Sequence, residues 1–415
     1  METLHNEPRT GAVPFVDLAR QHAPLAAKLH GVFDRLLGGS AFILGEEVER
    51  FEAEFADYCG ARQCVGVASG TAALTIMLIA SGIGQGDQVI VPAHTFVASA
   101  LAVRHAGATP VCVDVDRGSG LIDPQAARAV IGPSTAAILA VHLYGQACAM
   151  DELRALADRH GLALFEDAAQ AHGATYKGVR VGGLGRAAAF SFYPSKPLGA
   201  LGDGGAICTD DGDIARRARE LRDLGRGADR VHVVAGYNER LDGLQAALLR
   251  LKLADLDRWN AARRGLAEAY HARLDGVVEL LEESAESPCV YHLLPVRVNE
   301  RQALAAALAA RGIATGVHYP LALVDQPLWR GDDGASDVPN ARDWAARELS
   351  LPMFPHMTAG EMDAVTTAVH RWARRVNRQR EGRTRGRLLS RAKRGGQLTH
   401  AHAPEHGATD GTAAA

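Results

Sequence analysis

The chain has 415 residues, 47% hydrophobic and 22% charged, with a formal net charge of -3. Such a length holds two or three domains with ample cores. The near-neutral balance and the lack of a run of about 18 apolar residues argue against nucleic-acid and membrane partners. The six cysteines lack zinc or redox spacing, and Met1–Thr10 lacks the apolar core of a signal peptide. A cytoplasmic protein with free thiols and no metal is expected.

Residues 1–30 read as an N-terminal arm with a short helix. From 31 to 245, short apolar runs alternate with helical stretches. Strands are expected at Cys64–Ala68, Gln88–Val91, Pro110–Val115, Ala137–Val141, Ala163–Phe165, Ala187–Phe192 and Gly205–Thr209. Helices are expected at Thr71–Ala80, Ala98–His105, Pro124–Ile131 and Met150–His160. Alternation of this kind predicts a large α/β domain whose mixed, mostly parallel sheet is covered on both faces. Asp242 to Leu274 reads as one long helix entered from an Asp cap. Residues 246–376 hold this linking helix and a smaller C-terminal α/β domain. Its strand is placed at Val290–Val298 and its helices at Arg301–Arg311, Asn340–Leu349 and Thr358–Arg375, with a loop at Gly331–Asp337. Residues 377–415 are basic, then rich in Gly, Ala, His and Thr. That composition cannot bury a core, and a disordered tail is expected.

Four clusters fall at the carboxyl ends of the expected strands, where open α/β sheets bind ligands. Ser69-Gly70-Thr71 lies between a strand and a helix; it suits an anion such as phosphate, or is an ordinary helix cap. Phe96, in Pro92-Ala93-His94-Thr95-Phe96, could stack on a flat ring or belong to the core. Asp167 closes an apolar strand. A carboxylate there needs a cationic partner or several donors, and a protonated pyridine nitrogen is one such partner; a helix cap is the plainer reading. Gln170 adds a donor nearby, and His172 is either a donor or a structural histidine.

The last cluster holds Ser191 and Lys196, followed by Gly199–Gly205. This glycine run is neither a P-loop nor a dinucleotide fingerprint. The chain uses arginine almost everywhere and has only five lysines. Only a lysine amine can shed its proton and attack an aldehyde; a guanidinium cannot. An aldehyde-capturing lysine, a carboxylate for a ring nitrogen, a phosphate cradle and a stacking aromatic together point to pyridoxal 5'-phosphate.

These residues resemble the DegT/StrS family of pyridoxal-phosphate-dependent sugar aminotransferases of fold type I. The likeness runs from Val13-Pro14-Phe15-Val16-Asp17-Leu18 to Leu351-Pro352-Met353-Phe354-Pro355. It includes Phe42-Ile43-Leu44-Gly45, Ser69-Gly70-Thr71-Ala72-Ala73-Leu74, His142-Leu143-Tyr144-Gly145-Gln146, Glu166–Gly173, Ser191–Gly205 and Gly236-Tyr237-Asn238. The resemblance implies that Lys196 forms the Schiff base, Asp167 faces the ring nitrogen, Gln170 the ring hydroxyl, and Phe96 stacks on the ring. It implies that Gly70, Thr71 and Ser191 hold the phosphate, and that Asn238 completes the site of the neighbouring subunit in a homodimer. His318 and Tyr319 would lie near the sugar or nucleotide. The basic tail departs from the family pattern, and no catalytic role is expected for it.

Some relatives carry histidine in place of the lysine and act as dehydratases; Lys196 favours a transaminase. The segment Tyr193–Gly205 resembles members that aminate C-3 of a keto sugar. Ping-pong transfer from an amino acid, by resemblance L-glutamate, to a dTDP-3-keto-6-deoxyhexose is therefore expected, in amino-deoxysugar and antibiotic biosynthesis. The alternatives are a UDP-keto sugar, a 4-keto sugar, a keto-cyclitol, or a PLP-binding regulator without enzymatic activity. The regulator reading would call for an N-terminal winged helix, which is not expected in residues 1–30.

Overall fold

The computed structural model describes residues 12–329 and 337–396, with side chains through Arg378. The chain enters through a short helix α1 (Leu18–His22), capped by the Asp17 carboxylate, which accepts from Arg20 N at 3.0 Å. Helix α2 (Ala26–Gly39) follows, so the expected boundary at residue 30 falls inside a helix. Helix α3 (Glu46–Cys59) repeats apolar residues at helical spacing and buries Val48, Phe51 and Phe55.

The large sheet begins with β1 (Gln63–Val67) and continues, after α4 (Gly70–Ala80), with β2 (Gln88–Pro92). Helix α5 (Ala98–His105) leads to β3 (Thr109–Val113), and α6 (Pro124–Ala129) to β4 (Thr135–Val141). Helix α7 (Met150–His160) precedes β5 (Ala163–Asp167). A small antiparallel pair, β6 (Thr175–Tyr176) and β7 (Val179–Arg180), precedes β8 (Ala187–Ser191) and β9 (Gly205–Thr209). The seven-stranded order is β1-β9-β8-β5-β4-β2-β3. Only β9 runs antiparallel to its neighbours, as expected for a mixed, mostly parallel sheet. Helix α8 (Gly212–Arg222) packs against β1 and β9.

A buried ion pair ties this side together. Arg222 donates to Glu52 Oε1 and to the Gly66 carbonyl, while Gly66 N donates to Glu52 at 2.8 Å.

The expected helix over Asp242–Leu274 is two helices, α9 (Gly243–Leu253) and α10 (Leu256–Leu274). No glycine or proline marks the break. It arises because α9 packs on α2 and α3, whereas α10 turns away to pack on the last helix. The small domain then forms an antiparallel sheet of β10 (Glu279–Leu280), β11 (Leu294–Arg297) and, beyond α11 (Arg301–Ala309) and α12 (Pro339–Arg347), β12 (Glu348–Leu351).

Two readings change here. The run Val290–Val298 is strand only from Leu294; Val290 N and His292 N instead donate to the carbonyls of Gly145 and Tyr144. The helix expected to reach Leu349 ends at Arg347, and the next four residues pair with β11.

The last helix, α13 (Ala359–Gly396), runs past the expected end at Arg375. Its range takes in residues 377–396, expected from composition as a tail. Residues 397–415 lie outside the described ones, as do the first eleven and most of the Gly331–Asp337 loop. Among the described residues no helix is long and apolar enough to cross a membrane.

Candidate active site

The carboxyl ends of β4, β5 and β8, the start of α4 and the segment 318–319 surround a cavity of about 350 Å3. Lys196 reaches it from the loop after β8. That loop is a tight turn: Lys196 N donates to the Tyr193 carbonyl at 2.8 Å, and Ala200 N to the Phe192 carbonyl at 2.8 Å. From behind, the buried Lys252 ammonium donates to the Gly199 carbonyl. Lys196 Nζ has no hydrogen-bond partner among the described residues. Loss of hydration lowers its ammonium to about 8, against the opposing pull of the Asp167 charge.

Asp167 closes β5 at the floor of the cavity and is 5% exposed. Ser99 Oγ donates to Oδ2 at 2.7 Å and Ala169 N to Oδ1 at 3.2 Å. Because Ser99 gives its proton to the carboxylate, Thr95, 3.1 Å away, donates to Ser99. Burial raises the Asp167 carboxyl, and the two donors and Lys196 offset this only in part. No ion pair reaches Asp167 among the described residues.

One wall is the N-terminus of α4. Ser69 caps it, accepting from Ala72 N at 3.1 Å, while Gly70 and Thr71 face the cavity beside Ser191. A Cβ on Gly70 would lie 2.5 Å from that of Ser191, so only glycine lets the helix start and the end of β8 come this close. The free N–H groups and the dipole suit this wall to an anion.

The opposite wall depends on Tyr144, held at φ 62°, a conformation unusual for a bulky residue. Its N donates to Gln170 Oε1 at 2.7 Å, and its hydroxyl to the His318 carbonyl at 2.6 Å. His94 Nε2, 2.7 Å from the same hydroxyl, is therefore the donor to it. Gln170 Nε2 donates to Tyr319 Oη at 3.1 Å, leaving the Tyr319 proton free for the cavity. Phe96 and Tyr319 meet at the mouth, ring centroids 5.4 Å apart.

Gly70, Thr71, Phe96, Asp167, Gln170, Ser191, Lys196, His318 and Tyr319 thus line one cavity. Asn238 does not; it is exposed and bridges to Asp223. His172 lies outside the cavity lining, against Phe190 and Phe192, with its imidazole lowered to about 3 by burial. Sequence reasoning missed Ser99 and Tyr144, and also Glu348 and Ser350, whose hydrogen bonds reach His318. Tyr144 sat within a quoted motif, but nothing local marked the others.

Pyridoxal phosphate fits these residues. Asp167 lacks the cation that a protonated ring nitrogen would supply, the α4 wall suits a phosphate, and Lys196 offers an amine already inclined to lose its proton. No group of His, Cys, Asp or Glu that could hold a metal occurs among the described residues.

Fold and cavity together define a pyridoxal-phosphate-dependent transaminase of the α/β type. The chain belongs to the DegT/DnrJ/EryC1/StrS aminotransferase family, whose model matches residues 26–370. It is 45% identical, over 90% of its own length and 100% of the relative's, to dTDP-3-amino-3,4,6-trideoxy-alpha-D-glucose transaminase of Streptomyces venezuelae. The solved structure of S. venezuelae DesV superposes with a TM-score of 0.85 at 46% identity, covering 87% of this chain and 98% of that one. NtdA of Bacillus subtilis, solved with bound cofactor PMP, gives 0.82 at 29% identity, covering 90% and 87%.

Proposed function

We propose that this chain moves an amino group from L-glutamate to C-3 of a dTDP-linked 3-keto-6-deoxyhexose, a step that makes an amino-deoxysugar. One observation carries the chemistry. Lys196 and Asp167 share a cavity, the first without a hydrogen-bond partner and the second without an ion pair among the described residues. The choice of sugar is supported by the S. venezuelae transaminase named for a dTDP-linked 3-amino sugar, matched along its whole length.

In this reading, Gly70, Thr71 and Ser191 hold the phosphate, Phe96 covers the ring, and the remaining N–H of Gln170 faces the ring hydroxyl. Pyridoxal phosphate, when bound, supplies an aldehyde and a ring that accepts the electrons of a carbanion. Asp167 keeps the ring nitrogen protonated, supported from behind by Ser99 and Thr95. Lys196 Nζ would hold the aldehyde and, as a free amine, would take up and return the proton of the reacting carbon. The active unit is a homodimer in which Asn238 of each chain completes the neighbour's phosphate site. Exposed Phe33, Leu37, Phe42 and Ile43 supply apolar surface for that contact.

Purified protein given pyridoxal phosphate, L-glutamate and a dTDP-3-keto-6-deoxyhexose is expected to yield the dTDP-3-amino sugar and 2-oxoglutarate. A UDP-3-keto sugar and a keto-inositol run in parallel; preferred turnover of either would reassign the acceptor. Lys196→Ala is expected to lose both turnover and the visible absorption of the bound cofactor. Full turnover by that variant would refute the chemistry.

A further inference from the structure

A relay of side chains from β12 ends on His318 in the cavity wall. Glu348 and Ser350 are fully buried on β12. Ser350 Oγ donates to Glu348 Oε1 at 2.5 Å, and His318 N donates to Oε2 at 2.6 Å. His318 Nδ1 lies 2.8 Å from Ser350 Oγ. A serine hydroxyl has one proton. With that proton given to Glu348, Ser350 can only accept from His318, so Nδ1 carries the hydrogen. Nε2 is then a bare acceptor, and it has no partner among the described residues. Phe15 stacks on the ring, centroids 5.8 Å apart, and holds its plane.

We propose that Glu348 and Ser350 are positioning residues that fix His318 as a hydrogen-bond acceptor for a sugar hydroxyl beside the reacting carbon. The proposal rests on the substrate reading above and deepens it. It pairs His318, an acceptor, with Tyr319, whose proton Gln170 leaves free to donate. A polar site of opposite signs reads a hydroxylated ring, because an analogue lacking the hydroxyl leaves a buried group unpaired.

The relay has a built-in direction. Burial lifts the Glu348 carboxyl to about 7, against the bonds from Ser350 and His318 N and the charge of Arg301. Tyr144 and Tyr319 are the other titratable groups near the carboxylate, and Lys196, His94 and His292 are those coupled to the imidazole. Below about 7, a protonated Glu348 can donate to Ser350. The Ser350 proton then turns to Nδ1, and His318 presents N–H to the cavity instead. Glu348→Gln imposes the same reversal at every pH: its oxygen must serve His318 N, so its NH2 faces Ser350.

Two measurements test this. In protein with 15N-labelled histidine, NMR should show His318, assigned by its loss in His318→Asn, as the Nδ1–H form above pH 7. In Glu348→Gln it should show the Nε2–H form. The second uses dTDP-3-amino-3,4,6-trideoxy-α-D-glucose with 2-oxoglutarate, the reverse transfer; the one free ring hydroxyl of that sugar is at C-2, next to the reacting carbon. Glu348→Gln is expected to raise KM for the amino sugar about tenfold, the worth of one hydrogen bond, and to leave KM for glutamate in the first half-reaction as in the parent. The parent's KM for the amino sugar should rise as pH falls through about 7, and both Glu348→Gln and Ser350→Ala should abolish that limb. An Nε2–H signal in the parent at pH 8, or equal losses for sugar and glutamate, overturns the relay. If the parent ignores the amino sugar, the substrate reading fails, and the NMR result alone decides the relay.

Discussion

At the scale of single residues, charge without water decides the chemistry. Lys196 loses hydration in the cavity wall and holds its proton only up to about 8. Below that value the ammonium dominates and cannot attack; above it the neutral amine is the main form. The rate at which apo-protein develops visible absorption with added pyridoxal phosphate is therefore expected to rise with pH and level off above about 8. A rate that falls across this range would contradict the assignment. The importance of Lys196 was legible in the sequence because lysine is scarce and its neighbours form a motif. Ser99 was not legible: a serine at a helix start is an ordinary residue until β5 brings Asp167, 68 positions away, within 2.7 Å.

At the scale of elements, the site depends on how tightly the surrounding pieces are joined. Glu52 on α3 and Arg222 on α8 meet beneath β1 and use each other and Gly66 to satisfy buried charge. Glu52→Ala strands the guanidinium in the interior and is expected to cost about 3–5 kcal/mol, read as a lower urea midpoint. Glu52→Leu combined with Arg222→Met should recover most of that loss. Equal midpoints for the single and double variants would refute the pairing argument. The strands of the large sheet were legible, since buried strands are short apolar runs, whereas β6, β7, β10 and β12 were not. The break between α9 and α10 was not, because it answers to two different packing partners rather than to a helix-breaking residue.

At the scale of the molecule, the cavity lies between the large sheet and the segment His318–Tyr319, which β12 supports through Glu348 and Ser350. Asn238 is exposed and outside its lining, and the apolar side chains of Phe33 and Ile43 lie open. Both features have a place in a dimer with shared sites. Sedimentation should give twice the chain mass, and Phe33→Glu with Ile43→Glu should give an inactive monomer. Co-expressed Lys196→Ala and Asn238→Ala chains should regain activity, since one site of each mixed dimer has both intact residues. If Asn238 served its own chain, the mixture would stay inactive.

Periodicity and motif spacing alone determined the α/β class, most strands, and the residues with rare chemistry, because those signals are local and each is confined to a few neighbouring positions. Only the tertiary structure decided which common residues support them. Glu348, Ser350 and Ser99 became readable when elements distant in sequence were packed together. A buried proton's position is settled by whichever groups lie within about 3 Å of it, and that distance is a property of the folded chain.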